Sequence, residues 1–272
     1  MTLATKLAPL AFGVLLATGL SGAVSAAGSS DSDAEREARW RDVAASIFKD
    51  RQIQPTDTLV KVEAPKRAED AALVPITLTM PEKDKVQAVH LVIDDNPSPY
   101  AAHFRFGPAA DPSELKLRVR VNNYTNVHAV AETKDGALYE TTKFVKASGG
   151  CSAPMGMSDE EAMKGMGEMR MKFAGEAQAG KPVEATLMIR HPNFSGMQMN
   201  QVTRDYTPAR YVNKVTVDTG TKNVFVMDGD ISIASNPVIN FAFLPAGPVK
   251  VTATDNQGGR WEHSFTVPSA SN

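Results

Sequence analysis

The chain has 272 residues, room for one large domain or two ordinary ones, and one cysteine, so no internal disulfide can staple it. Lys and Arg number 29 against 31 for Asp and Glu, a formal charge of −2 with neither sign gathered into a run. That balance lacks the electrostatic footprint of a protein that binds nucleic acid or an acidic polymer.

At the N-terminus, Lys6 precedes the apolar stretch "LAPLAFGVLLATGL", and "AVSA" ends at Ala26 with the small residues a signal peptidase accepts. The pattern predicts a signal peptide over 1–26. Its apolar core is about 14 residues, shorter than the roughly 20 a spanning helix needs, and no later stretch approaches that length, so no membrane insertion is expected. Next, Ser32 stands three residues before Glu35, a capping-box spacing that opens a helix over Ala34–Lys49.

From there the period changes to two. "LVKVEAP", "VPITLTMP", "VQAVHLVID", "LKLRVRV", "VHAVAET" and "YETTKFV" alternate apolar and polar residues between Pro, Asn, Asp and Gly breaks, the mark of short antiparallel strands. A second series, "VEATLMIRHP", "YVNKVTVD", "NVFVMDG", "VINFAFLP", "VKVTATD" and "WEHSFTV", follows past residue 180. The two series close alike, since "AVAETKDGALYETTKFVKAS" and "VTATDNQGGRWEHSFTVPSAS" each run strand, glycine turn, aromatic, strand and small polar tail. The expected architecture is all-β: two tandem immunoglobulin-like β-sandwich domains, 27–147 with the N-terminal helix and 175–272, joined by a segment over 148–174.

That segment, "ASGGCSAPMGMSDEEAMKGMGEMRMKF", holds the single cysteine, Cys151. Gly149 and Gly150 before it suggest an exposed thiol on a movable loop, and an exposed thiol in an oxidising compartment points to chemistry at sulfur. A chance surface cysteine, or one paired with another chain, remains open at this point. Ser158 ahead of Glu161 predicts a short helix over Asp159–Lys172, although Gly165 and Gly167 each weaken it by about 1 kcal/mol. Lys143 and Lys146 either favour the thiolate or are solvated strand-end lysines.

Nine of the twelve methionines lie between Met155 and Met199. Cys151, Met155 and Met157 form a set of soft donors suited to Cu(I), while Met163, Met166 and Met169 recur every three residues as a packing face would. The histidines His90, His103, His128, His191 and His263 show no ligand spacing, and His191 in "RHPNFSG" reads as part of a turn. No nucleophile elbow, phosphate loop or paired-carboxylate signature is present.

The stretches "AVHLVIDDNPSPYAAHFRFGPAADP", "LKLRVRVNNYTNVHAVAETKDGALYETTKFVKASGGC" and "VPITLTMPE" resemble SoxY, the sulfur-carrying subunit of the bacterial sulfur-oxidation system. "LMIRHPNFSG", "ARYVNKVTVDTGTKNVFVMDGDISIASNPVINFAF" and "VKVTATDNQGGRWEHSFTV" resemble its partner SoxZ. The chain thus resembles a fused SoxY–SoxZ carrier of the quinoprotein dehydrogenase-associated group. The resemblance implies a periplasmic protein that is no enzyme. It would hold a thiosulfate-type sulfur intermediate covalently on Cys151, on an arm containing Gly149 and Gly150, with no other cofactor. The implied partners are periplasmic sulfur-oxidation enzymes or c-type cytochromes, with a quinoprotein dehydrogenase as a further one. A second reading is a non-catalytic accessory or Cu(I)-binding module for such a dehydrogenase. Where the family has two glycines after the cysteine, Ser152 and Ala153 stand here, followed by Pro154, and the arm is tied at both ends.

Overall fold

The computed structural model describes Met1, residues 32–200 and residues 203–269; apart from Met1, the expected signal peptide lies outside them. The first half consists of α1 (Asp33–Phe48), β1 (Ile53–Pro55), β2 (Lys61–Glu63), β3 (Val74–Thr79), β4 (Val86–Ile93), β5 (Tyr100–Phe106), β6 (Ala110–Val119), β7 (Thr125–Thr133) and β8 (Leu138–Val145). The second consists of α2 (Asp159–Met163), β9 (Met169–Phe173), β10 (Val183–Ile189), β11 (Val212–Thr219), β12 (Lys222–Gly229), β13 (Val238–Phe243), β14 (Val249–Asp255) and β15 (Arg260–Phe265). Both halves are immunoglobulin-like β-sandwiches.

They are joined edge to edge. One sheet runs β1-β8-β7-β4-β5-β12-β11-β14-β15 and the other β2-β3-β6-β13-β10-β9, so each sheet crosses from one half into the other. At one seam Phe106 faces Phe225 and Ala102 faces Gly229; at the other Ala110 faces Phe243. Strands β5, β6, β12 and β13 would be open edges in separate sandwiches, and pairing them satisfies backbone groups that would otherwise invite foreign strands. Side chains of both halves enter one continuous core, with Phe104 against Phe225 at 5.6 Å between ring centroids and Phe225 against Phe241 at 5.0 Å.

Helix α1 forms where the capping box predicts, Ser32 accepting from Glu35 N–H while the Glu35 carboxylate accepts from Ser32 N–H. Its Trp40, Ala44, Ile47 and Phe48 cover Val130 and Leu138 on the outer face of the first sheet. Strand β7 is therefore buried on both faces. Val127, Ala129 and Ala131 enter the core, while His128 lies stacked under Trp40 with 3.7 Å between ring centroids. His128 is flanked by Asp94 and Glu140, each at 3.1 Å.

Helix α2 is capped by Ser158 as expected, yet it ends at Met163 and not near Lys172. Gly165 and Gly167 take positive φ, which turns the chain out of the helix. At Gly167 a side chain would meet the Trp261 ring at 2.0 Å. Met169–Phe173 then pairs with β10, so Met163, Met166 and Met169 share no helical face. No helix among the described residues is long and apolar enough to cross a membrane.

Candidate functional site

The chain leaves β8 at Val145 and reaches Gly149–Cys151 alongside the segment that follows β6. Gly149 N–H donates to Asn122 O at 2.7 Å and Gly150 N–H to Val121 O at 3.1 Å. A Cβ on Gly150 would sit 2.0 Å from Ala71 O and 2.6 Å from Val121 O, a space only glycine fits. A Cβ on Gly149 would make only an ordinary contact, 3.8 Å from Ser152 Oγ, but its φ is +73°, so the two glycines serve different needs, handedness at the first and close approach at the second.

This geometry corrects the expectation of an exposed, mobile thiol: Cys151 is fully buried, with 0 % exposure. The glycines pin the segment by letting backbone approach backbone. The second half covers the site, with Ser195 Oγ donating to the carbonyl of Cys151. Burial pushes the thiol up to about 11, with the nearby Arg120 cation pulling weakly the other way. At pH 7 such a group is thiolate in about one molecule in ten thousand.

Arg120 is the cation that acts on this sulfur; Lys143 and Lys146 are both exposed at the surface. Its guanidinium is 1 % exposed and donates at 3.2 Å to Gly150 O from one nitrogen and to Asn193 O from another, bridging the halves. β6 ends at Val119, and beyond it Arg120 N–H donates to Ser232 O at 2.7 Å and Val121 N–H to Ala71 O at 2.8 Å. In "LKLRVRV" the alternation puts Leu117, Val119 and Val121 in the core and leaves Lys116 and Arg118 exposed on the other face; Arg120 keeps that alternation and is buried because the Gly150 and Asn193 segments lie over it and accept its hydrogen bonds.

The turn over His191–Gly196 completes the site. Asn193, at φ +45°, accepts from Val212 N–H and donates to Ile233 O and Ala234 O. His191 accepts from Asn193 N–H at 3.0 Å and its Nε2 lies 3.5 Å from Asp255; burial holds its pKa below the ordinary histidine range. It is the turn-former that the sequence suggests. Gln198, also buried, accepts from Ser195 N–H at 2.8 Å. Asn193, Ser195 and Gln198 carried no signal in sequence, since turn-forming residues of this kind serve any loop.

Met155 and Met157 line a groove of about 610 Å³ with Met199 and Gln198; Cys151 is not among its lining residues, so the three soft donors proposed from sequence are not brought to one cavity. Among the described residues no group of three or more His, Cys, Asp or Glu is placed to hold a metal ion.

Fold and site together define a class: a protein of two immunoglobulin-like sandwiches sharing both sheets, with a single thiol seated where the halves meet. The family follows from the sequence matches. Residues 44–151 match the sulfur oxidation protein SoxY and residues 170–266 match the sulphur oxidation protein SoxZ, together about three quarters of the chain. The chain belongs to these families, as a SoxY domain and a SoxZ domain in tandem on one polypeptide. Among solved structures, the sulfur carrier protein SoxY from Chlorobium limicola f thiosulfatophilum is 28% identical, with 42% of this chain and 96% of that chain covered and a TM-score of 0.36. A β-glycosidase from Bacteroides vulgatus is 11% identical over 78% of this chain and 25% of its own, with a TM-score of 0.23. No curated protein matches the chain at a significant level.

Proposed function

We propose that this protein is a covalent carrier, and not an enzyme, that holds a sulfur intermediate of thiosulfate type on Cys151 and presents it to redox partners in the periplasm. One observation carries the reading: the SoxY match ends on Cys151, the only thiol of the chain, immediately after Gly149 and Gly150. Joining thiosulfate to that thiol through a sulfur–sulfur bond releases the thiol proton to solvent and two electrons to a redox partner such as a c-type cytochrome, and the bond can be exchanged later by attack of another thiolate. Fusion of the halves makes their association intramolecular, and the continuous sheets hold the second half over the thiol at every dilution.

Burial gives the carrier a resting state in which the thiol is protonated and shielded from stray oxidants. Loading then requires the Gly149–Cys151 segment to leave its seat. Sulfur-oxidation enzymes, c-type cytochromes and a quinoprotein dehydrogenase are the proposed partners for the opened arm.

The test is the intact mass of protein isolated from its native host without reductant, before and after reduction, beside Cys151→Ser. A reducible adduct of sulfur-containing mass, absent from the variant, is the expected result. A free thiol under conditions of active sulfur oxidation would overturn the carrier reading.

A further inference from the structure

Arg120 is a buried cation whose hydrogen-bond acceptors are neutral carbonyls, those of Gly150 and Asn193. Its Nε, also buried, has no hydrogen-bond partner. Of the groups near it that can carry a negative charge, Cys151 would favour its charge most, and only as thiolate, ahead of the exposed carboxylate of Asp70. Close by, on the stretch tied to Cys151 through Ser195, Gln198 is 3 % exposed and its Nε2 donor is also unpartnered. A guanidinium removed from water and left among carbonyls carries a large desolvation cost that an adjacent anion offsets. The resting thiol, being neutral, supplies no such anion.

We infer that Arg120, assisted by Gln198, is the positioning residue for the anionic end of a group bound to Cys151, so that the carrier closes over a negatively charged adduct in preference to a neutral one. This rests on the carrier reading and adds to it the residues that would tell a thiosulfate-type cargo, which ends in a sulfonate, from a neutral disulfide. The seat is composite, with the cation from the SoxY half and the amide from the SoxZ half. A sulfonate stays ionised throughout the physiological range, so the attraction does not depend on titration of the cargo.

Two probes on the whole protein separate charge from size. With tetrathionate, the Cys151 thiolate attacks an inner sulfur, the central sulfur–sulfur bond breaks, and thiosulfate leaves with the electron pair. Cys151 is left carrying –S–SO₃⁻, the thiol proton having passed to solvent. With methyl methanethiosulfonate, the same attack expels methanesulfinate and leaves the smaller, neutral –S–CH₃. Each product is verified by intact mass, and its melting temperature is measured. The sulfonate adduct is expected to melt at least ~3 °C above the methyl adduct. The gap should persist in Arg120→Lys, narrow in Gln198→Leu and vanish in Arg120→Met. Equal melting, or lower melting of the sulfonate adduct in the wild-type protein, overturns the inference without requiring any variant to fold. An unchanged gap in Arg120→Met also overturns it. These artificial adducts form whether or not the native cargo is sulfur, so failure here is distinct from failure of the carrier reading.

Discussion

Replacement of Gly150 by Ala tests how Cys151 is kept closed. Four hydrogen bonds hold the segment: Gly149 N–H to Asn122, Gly150 N–H to Val121, Arg120 to the Gly150 carbonyl, and Ser195 to the Cys151 carbonyl. At about 1 kcal/mol each they hold the turn shut by about 4 kcal/mol, which leaves it open in roughly one molecule in a thousand. The added methyl would lie 2.0 Å from Ala71 O, a backbone atom that no side-chain rotation relieves. Displacement of the turn loses at least the two bonds made by Gly150 itself, about 2 kcal/mol, and at most all four. Alkylation of Cys151 by iodoacetamide at pH 7.5 should therefore accelerate between about 30-fold and about 1000-fold. Gly149→Ala meets only an ordinary contact with Ser152 Oγ at 3.8 Å and suffers its left-handed φ, a cost of about 1–2 kcal/mol, so its acceleration should be smaller, about tenfold. A folded Gly150→Ala protein that alkylates no faster than wild type would refute this reasoning. So would a wild-type thiol as reactive as free cysteine.

Other parts of the structure give independent expectations. Asn193→Ala leaves the buried Val212 N–H and the Ile233 and Ala234 carbonyls without their partner, and should lower the unfolding free energy by about 3 kcal/mol in a urea titration. Burial opposes protonation of His128, but its hydrogen bonds to Asp94 and Glu140 prevail and its pKa is raised in the folded protein. A raised folded value means that this stabilisation is complete below the unfolded value of about 6.5 and is lost as pH rises through the folded one. The urea midpoint should therefore fall on the alkaline side of pH 6.5, and His128→Gln should flatten that slope; an unchanged slope would exclude His128 as its source. The joint substitution of Met155 and Met157 by Leu should leave alkylation of Cys151 and the proposed adduct unchanged, because the thiol does not line their groove, which shares only Gln198 with the site. Loss of the adduct in that variant would show that groove and thiol act as one site.

Much of the fold is legible in local pattern. Alternation marks nearly every strand because one face of each meets the core, and Ser32–Glu35 marks the start of α1 because a capping box is closed within a single turn. The repeat of strand, glycine turn, aromatic and strand at the end of each series shows two like domains. The family resemblance, and with it the choice of Cys151, can also be read from the chain alone.

What the tertiary structure decided is everything that depends on which backbone lies beside which. Two glycines before a cysteine signal freedom and close approach equally well, and only the nearness of Ala71 and Val121 selects the second. Arg120 looks like one more exposed residue of an alternating strand until the Gly150 and Asn193 segments are seen to lie over it. The helix after Ser158 stops early because Gly165 and Gly167 turn the chain back to pair β9 with β10. The sharing of sheets through β5 with β12 and β6 with β13 leaves no local trace either, because an edge strand and a paired strand carry the same alternation. Sequence thus determined the elements, the families and the position of the single thiol; the burial of that thiol beside a buried cation arose from segments far apart in the chain, whose meeting is set by long-range packing that no local pattern encodes.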